Sequence, residues 1–397
     1  MGALSREEYI NRLEKVREKI EDEGMDGYVL FSNRSINYLT GYSFIPTERP
    51  AAILITPENI DATVPMLEKD AAESEELIDE VYVYYDYPGN NNGEYHHHSS
   101  KTPEEKIGEM IENRGLENVG ADMNGAPGIM GYEGPSLEEI TGKDVRVEGW
   151  TEKMRIQKSE EEIETLRKSS DYADQAFQII RDMVEPGKNE AAMNMEMQQK
   201  TAEMVIKDQG SIHVGAGELS YYRILSGPNT YNPHGQVENR ELKQNDILLP
   251  GMALAYKGYN AELERTMFLG EPTEEQKNYF EIMLEAQKTA AEAVAAGVKL
   301  STVDQEVHDY FKEQGVLEHT RHHTGHGIGL QGHEKPFIDR GNDKKLKENM
   351  VISLEPGIYV EGAGGFRHSD TFLVKENGIE RLTKDPRDLA SNIIGRN

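Results

Sequence analysis

The chain has 397 residues, with 72 acidic and 43 basic side chains giving a formal net charge of -29, and it contains no cysteine. That length supports two or three domains with a sizeable core, while the negative charge argues against nucleic acid or an anionic membrane surface as partners. Without cysteine there is no disulfide framework, thiolate nucleophile or thiolate metal site; a cytoplasmic enzyme is expected, with the general acidity also suiting a halophilic source.

The first residues, "MGALSREEYINRLEKVREKIEDEG", carry charges throughout and apolar residues at helical spacing, so a helix rather than a signal peptide is expected. Ser5 and Glu8 have capping-box spacing for it. No run of about 18 apolar residues occurs, so no membrane span is expected. Strands are expected at "DGYVLFS", "AAILIT" and "VYVYYDY", followed by a helix at "TPEEKIGEMIENRG", an α/β pattern filling residues 1–150. A second capping box, Ser159 with Glu162, opens a helix over about 160–184 whose buried face is Ile163, Leu166, Ala173, Phe177 and Ile180. Further helices are expected over 189–208 and 273–296, the last with Thr273 and Gln276 as a capping box and Gly297 as its stop. Between them lie glycine-rich strands in an irregular order, so 151–397 reads as an α+β domain whose two halves share a broadly similar element order.

Polar residues concentrate where those strands should be. "GYNAELERTMFLG" at 258–270 places Glu262 and Glu264 on one face of an extended chain, roughly 7 Å apart, with Leu263 and Arg265 on the other. Like charges at that distance resist ionising together unless a cation or donor lies between them. Four more segments add His234 in "NPHG", His326 and His333 in "TGHGIGLQGHEKP", Glu355 in "ISLEPGIY", and Arg367 with Ser369 in "GFRHSDT". Glu355 is flanked by Ile352, Leu354 and Ile358, and a carboxylate in such a setting calls for a partner. The glycines around His326 allow close approach of another group. Three adjacent histidines in "YHHHSS" at 95–100 read as a solvated loop, and His213 has no assigned role. His322 and His323 are expected to line the site rather than ligate.

In order and approximate spacing, these segments resemble the pita-bread family that contains Xaa-Pro dipeptidases, aminopeptidase P, methionine aminopeptidases and creatinase. The resemblance extends over essentially the whole chain, including "IQKSEEEIETLRKS" at the domain junction. It implies a small N-terminal α/β domain, a C-terminal pseudo-twofold α+β domain carrying the site, a small-molecule substrate and a homodimer. The family's metallopeptidases bind two divalent ions through two Asp, a His and two Glu. Carried over by position, these fall on Gly251, Glu262, His326, Glu355 and Ser369, so two of the five ligands are replaced.

Three readings follow. The first takes creatinase, the metal-free member, as the guide: "ELERT" resembles its "ALERT". On that basis no cofactor is needed, His234 is the acid/base, Glu264 and Glu355 grip a cationic group, Glu262 assists them, and Arg49 in "PTERPAAILIT" binds a substrate carboxylate. The expected reaction is hydrolysis of a C–N bond in a small nitrogen-rich carboxylate. The second is an Xaa-Pro dipeptidase or aminopeptidase P-like enzyme with one divalent ion, Mn, Fe or Zn, on Glu262, His326 and Glu355; here the resemblance implies that His333, Glu334 and Arg367 position substrate and stabilise the tetrahedral intermediate, with His326 also among the substrate-binding residues. The third is a non-catalytic binding protein on the same fold.

Overall fold

Ser159 starts the longest helix as its spacing demands: its Oγ accepts from Glu162 N at 3.3 Å, and the Glu162 carboxylate accepts from Ser159 N at 3.0 Å. Thr273 and Gln276 close the same reciprocal box, and Ser5 Oγ accepts from Glu8 N at the first helix. The structure, a computed structural model, describes residues 3–85, 101–210 and 221–395. The histidine loop at 95–100 and His213 lie outside the described residues. The chain divides into two compact units between Arg155 and Ile156.

The N-terminal unit runs α1 (Arg6–Asp22), β1 (Gly27–Leu30), α2 (Asn33–Thr40), β2 (Ala52–Ile55), β3 (Ile60–Pro65), α3 (Lys69–Glu73), β4 (Glu80–Tyr84), α4 (Pro103–Asn113), β5 (Val119–Ala121), α5 (Leu137–Thr141), β6 (Val145–Val147) and α6 (Trp150–Arg155). Its sheet has the order β4-β3-β2-β1-β5-β6. The β1–β2 and β2–β3 pairings are antiparallel and the other three parallel. The apolar runs expected as strands supply its core, in which Val29, Leu54 and Val119 pack against Ile107 and Met110 of α4.

The C-terminal unit begins with α7 (Glu160–Met183) and α8 (Glu190–Gln209), then β7 (Tyr221–Ser226), β8 (Ile247–Tyr256), β9 (Tyr259–Glu264) and β10 (Met267–Leu269). Its second half repeats the plan with α9 (Glu274–Ala293) and α10 (Leu300–Glu313), followed by β11 (Gly325–Gly327), β12 (Glu334–Ile338), β13 (Val351–Leu354), β14 (Gly357–Val360), β15 (Gly364–Arg367), β16 (Asp370–Lys375), β17 (Gly378–Arg381) and β18 (Ile393–Ile394). One sheet has the order β18-β10-β8-β7 with β9 on β8, and the other β12-β11-β13-β16-β17, while β14 and β15 form a ribbon. The face of α7 read from the sequence is buried: Ala173, Phe177 and Ile180 pack with Leu254 and Leu263 of the first sheet. Phe280 and Met283 of α9 pack with Ile352 and Phe372 of the second. Each helix pair thus covers one sheet, and the sheets are free to meet along their other faces.

They meet between β9 and β16. Glu264 and Ser369 exchange backbone hydrogen bonds of 3.0 and 3.1 Å, and Thr371 Oγ1 donates to Glu262 O at 3.0 Å. Arg265, fully buried, anchors this seam: its Nη2 lies 2.8 Å from Asp370 Oδ1 and its Nε 3.1 Å from Asp385 Oδ2. A buried arginine held by two acids fixes the strand's alternation, because its neighbour Glu264 must then face the opposite side. Among the described residues no helix is long and apolar enough to cross a membrane.

Candidate active site

The alternation of β9 sends Glu262 and Glu264 to one side, as the sequence predicts. They open into a cavity of about 930 Å³ that His234, His333, Glu355 and Arg367 also line. His322 and His323 line it as expected. Glu262, Glu264 and Glu355 are only 7–8 % exposed, so their charges need partners.

Those partners are specific. His326, fully buried on β11, presents Nε2 to Glu355 Oε1 at 3.3 Å and to Glu262 Oε2 at 3.5 Å. Its Nδ1 lies 3.0 Å from Gly327 O; a carbonyl can only accept, so Nδ1 carries a proton and Nε2, which holds a proton in the charged ring and a lone pair in the neutral one, faces the two acids. The ring stacks on His333, with centroids 3.8 Å apart, and His333 Nε2 lies 3.9 Å from Glu262 Oε2. The other Glu262 oxygen, Oε1, accepts from Ser353 Oγ at 2.9 Å and Ser369 Oγ at 2.6 Å.

Glu264 has a different partner. Both of its oxygens are held by Arg367, through Nε and, at 2.7 Å, Nη2. Arg367 Nη1 donates to Tyr359 Oη at 2.9 Å, and His322 Nε2 lies 2.8 Å from the same hydroxyl. On β8, Gly251 stands in register opposite Glu264. A β-carbon at 251 would lie 2.3 Å from Glu264 Oε1, so the Glu264 carboxylate fills the space that a side chain at 251 would need.

The environment separates the acids. Burial, opposed by Arg367 and reinforced by Glu262 and Glu355, pushes the Glu264 carboxyl up to about 7. Burial also acts to raise Glu355, but His326 outweighs it and holds that carboxyl well below the usual range. Glu262 is likewise lowered, burial being outweighed by His326. Burial disfavours a charged His326, yet the two carboxylates hold its pKa well above the ordinary value. His333 is lowered by burial and by the neighbouring His326.

Of the residues read from the sequence, His234, Glu262, Glu264, His333, Glu355 and Arg367 share the cavity, and His326 meets Glu262 and Glu355 there. Arg49 belongs to the N-terminal unit, where its Nη1 pairs with Glu48 at 2.7 Å. Sequence reading missed Ser353, Tyr359 and His368. Ser353 precedes Glu355 by two residues, a period-two signal like that of Glu262 and Glu264. His368 is fully buried beside Phe280, and burial followed by Arg265 keeps it from protonating.

Residues 164–376 match metallopeptidase family M24, and residues 12–167 match the creatinase/prolidase N-terminal domain. The chain belongs to family M24. It has the pita-bread fold and is a hydrolase of C–N bonds. An Xaa-Pro dipeptidase of Pyrococcus horikoshii is 30 % identical over 390 residues, covering 95 % of this chain and 98 % of that protein. A prolidase structure from Thermococcus sibiricus has a TM-score of 0.80 and 28 % identity, covering 97 % of this chain and 99 % of that one. The prolidase structure from Pyrococcus horikoshii gives 0.78 and 27 %, covering 96 % and 99 %.

These relatives overturn the creatinase-like reading, whose metal-free amidinohydrolase chemistry fits less well than a peptidase. The geometry supplies the physical reason. Glu264, expected to grip a cationic substrate, is already engaged on both oxygens by Arg367. The expectation of no cofactor is also unsupported, because Glu262, His326 and His333 bring ligand atoms within 4.8 Å of one another.

Proposed function

We propose that the chain is a metal-dependent dipeptidase acting on Xaa-Pro dipeptides, with one divalent ion held by Glu262, His326 and Glu355. The observation that carries this reading is the buried His326 Nε2, which makes no well-aligned hydrogen bond yet faces two carboxylate oxygens at 3.3 and 3.5 Å. Neighbouring donors around a four-coordinate cation with bonds of about 2.0–2.2 Å are separated by that much. The donor set, two carboxylates and an imidazole, suits Mn, Fe or Zn. The bond from Nδ1 to Gly327 O fixes the ring in the ligating tautomer. When bound, the ion supplies a Lewis acid and lowers the pKa of a water.

The chain's own residues do the rest. Ser353 and Ser369 fix the orientation of Glu262 through Oε1, leaving Oε2 on the His326 side. Arg367 sets a positive charge beside Glu355, its Nε 3.9 Å from Oε2, where it favours negative charge developing on a substrate. We assign proton transfer to the leaving nitrogen to His234 or His333, the histidines exposed at the cavity. The cavity volume suits a ligand of dipeptide size. The cysteine-free composition supports a cytoplasmic setting, and the family resemblance supports a homodimer.

The test is hydrolysis of Xaa-Pro dipeptides before and after chelation. Chelation is expected to abolish turnover and stoichiometric Mn²⁺, Fe²⁺ or Zn²⁺ to restore it. Undiminished cleavage by metal-free protein would refute the metal role, and absence of cleavage with every metal would refute the substrate class. Sedimentation velocity tests the dimer.

A further inference from the structure

Among the described residues, two groups could each hold an ion: Glu262, His326 and His333 form one, and Glu262, Glu264 and Glu355 form the other. The first contains His326 Nε2, which also faces Glu355 Oε1 at 3.3 Å, and is the position proposed above for the metal ion. The second already faces a cation of the protein itself, since Arg367 holds both Glu264 oxygens and lies 3.9 Å from Glu355 Oε2. We propose that the Arg367 guanidinium permanently occupies the second cation position, so that the site takes one metal ion and one side-chain cation. This inference rests on the metallopeptidase reading above.

Four features of the chain make the exchange coherent. Position 251 offers no ligand, and the space beside it is taken by Glu264, whose Oε1 stands 2.3 Å from where a β-carbon would be. Glu264 thus delivers a carboxylate from β9 to a place that β8 leaves empty. Position 369 offers a hydroxyl, which donates to Glu262 Oε1 at 2.6 Å while Ser353 donates to the same atom at 2.9 Å. With both donors on it, that oxygen has little capacity left to bridge to a second ion. Glu355 is divided between the two positions, with Oε1 on the His326 side and Oε2 on the Arg367 side. Finally, Tyr359 Oη accepts from Arg367 Nη1 at 2.9 Å, so three of the five guanidinium donors are anchored and the charge cannot swing away.

The experiment counts Mn²⁺ bound per chain by elemental analysis, and reads its EPR spectrum, in the wild type, Arg367→Lys and Arg367→Gln. All three are purified without metal and then saturated. Removing the guanidinium leaves three buried carboxylates facing one another, and a divalent ion can take its place. Arg367→Gln is therefore expected to bind one ion more than the wild type, two against one. Its spectrum should change from an isolated ion to a coupled pair at the spacing of about 3.5–4 Å usual for two-metal sites. Arg367→Lys keeps a cation and is expected to retain the wild-type count.

If Arg367→Gln folds only when Mn²⁺ is supplied, the dependence itself supports the exchange. If it folds with the wild-type count, or fails to fold even with Mn²⁺, the proposal is overturned. A wild type that binds two ions also overturns it while leaving the metallopeptidase reading intact. A wild type that binds none removes the metal from the proposed function, yet an ion gained by Arg367→Gln would still support the exchange.

Discussion

The interlock of Gly251 and Glu264 predicts a cost for the smallest possible side chain. In Gly251→Ala the new methyl would stand 2.3 Å from Glu264 Oε1 and 3.0 Å from its Cδ, far inside van der Waals contact. An exposed glutamate would simply rotate away, but this one is buried and held on both oxygens by Arg367. Retreat that sacrifices one charge-assisted bond costs about 1.5–3 kcal/mol. Breaking the whole pair inside the protein costs about 3–5 kcal/mol. For a unit of this size each kcal/mol lowers Tm by about 2–4 °C, so the metal-free variant should melt several degrees below the wild type. The assay is thermal and urea denaturation of a double-mutant cycle with Glu264→Thr, which removes the carboxylate that the methyl meets. In that background the alanine should cost little, giving a coupling energy well above the roughly 0.5 kcal/mol scatter of independent sites. Equal cost in both backgrounds, or no cost in either, would refute the claim that Glu264 occupies the space beside position 251.

Replacing His326 by Ala should reduce affinity for Zn²⁺ and Mn²⁺ by more than the 10–100-fold typical of losing an outer partner, as read by competition with a chelating dye; unchanged affinity would remove the imidazole from the ligand set. Ser369→Ala leaves Glu262 Oε1 with Ser353 alone, and should lower stability by about 1.5–3 kcal/mol in urea titrations and weaken metal binding about 10–100-fold; wild-type values in both would show that the hydroxyl does not orient Glu262. The raised pKa of His326 in the metal-free protein has a definite sign. Its stabilising contribution is complete below the unfolded value of about 6.5 and is lost as pH rises through the higher folded value. The wild-type metal-free Tm should therefore fall above neutrality more steeply than that of His326→Gln. Metal binding must displace this proton, so calorimetric heats near pH 7 should vary with the ionisation enthalpy of the buffer; identical heats across buffers would contradict the shift.

Much of the fold was legible because local signals and burial agree. The capping boxes at Ser159 and Thr273 start helices whose apolar faces pack on separate sheets, and the period-two pattern of β9 correctly places Glu262 and Glu264 together. The replaced ligand positions, Gly251 and Ser369, were also legible by position. What each replacement does was not, because it depends on contacts distant in sequence. Arg367 reaches Glu264 across 103 residues and Ser369 reaches Glu262 across 107, and neither approach leaves a spacing to read. The motif therefore points to Glu264 as a substrate-gripping acid: it shows a carboxylate without showing that a guanidinium of the same chain is already on it. Tyr359 was missed because its ring is buried among strands, where an aromatic residue reads as core, and only the structure reveals its hydroxyl between Arg367 and His322.

Charge accounts for why the replacements occur together. The family's five-ligand set has four carboxylates, which balance two divalent ions. Here Gly251 and Ser369 remove two of the four and Glu264 returns one, leaving Glu262, Glu264 and Glu355 as the acids of the cavity. Arg367, bound to Glu264, cancels one of these charges. The remaining two match a single divalent ion on neutral His326, whereas a second such ion would leave a buried excess of positive charge that a site of low dielectric penalises heavily. No one substitution achieves this balance. A glycine at 251 without Glu264 leaves a void beside Arg367, and Glu264 without Gly251 has nowhere to lie. The pairing of Gly251 with Glu264 on adjacent strands is therefore the structural condition for the one-ion site proposed above, and the Gly251→Ala cycle and the Arg367→Gln metal count probe the same arrangement from its two sides.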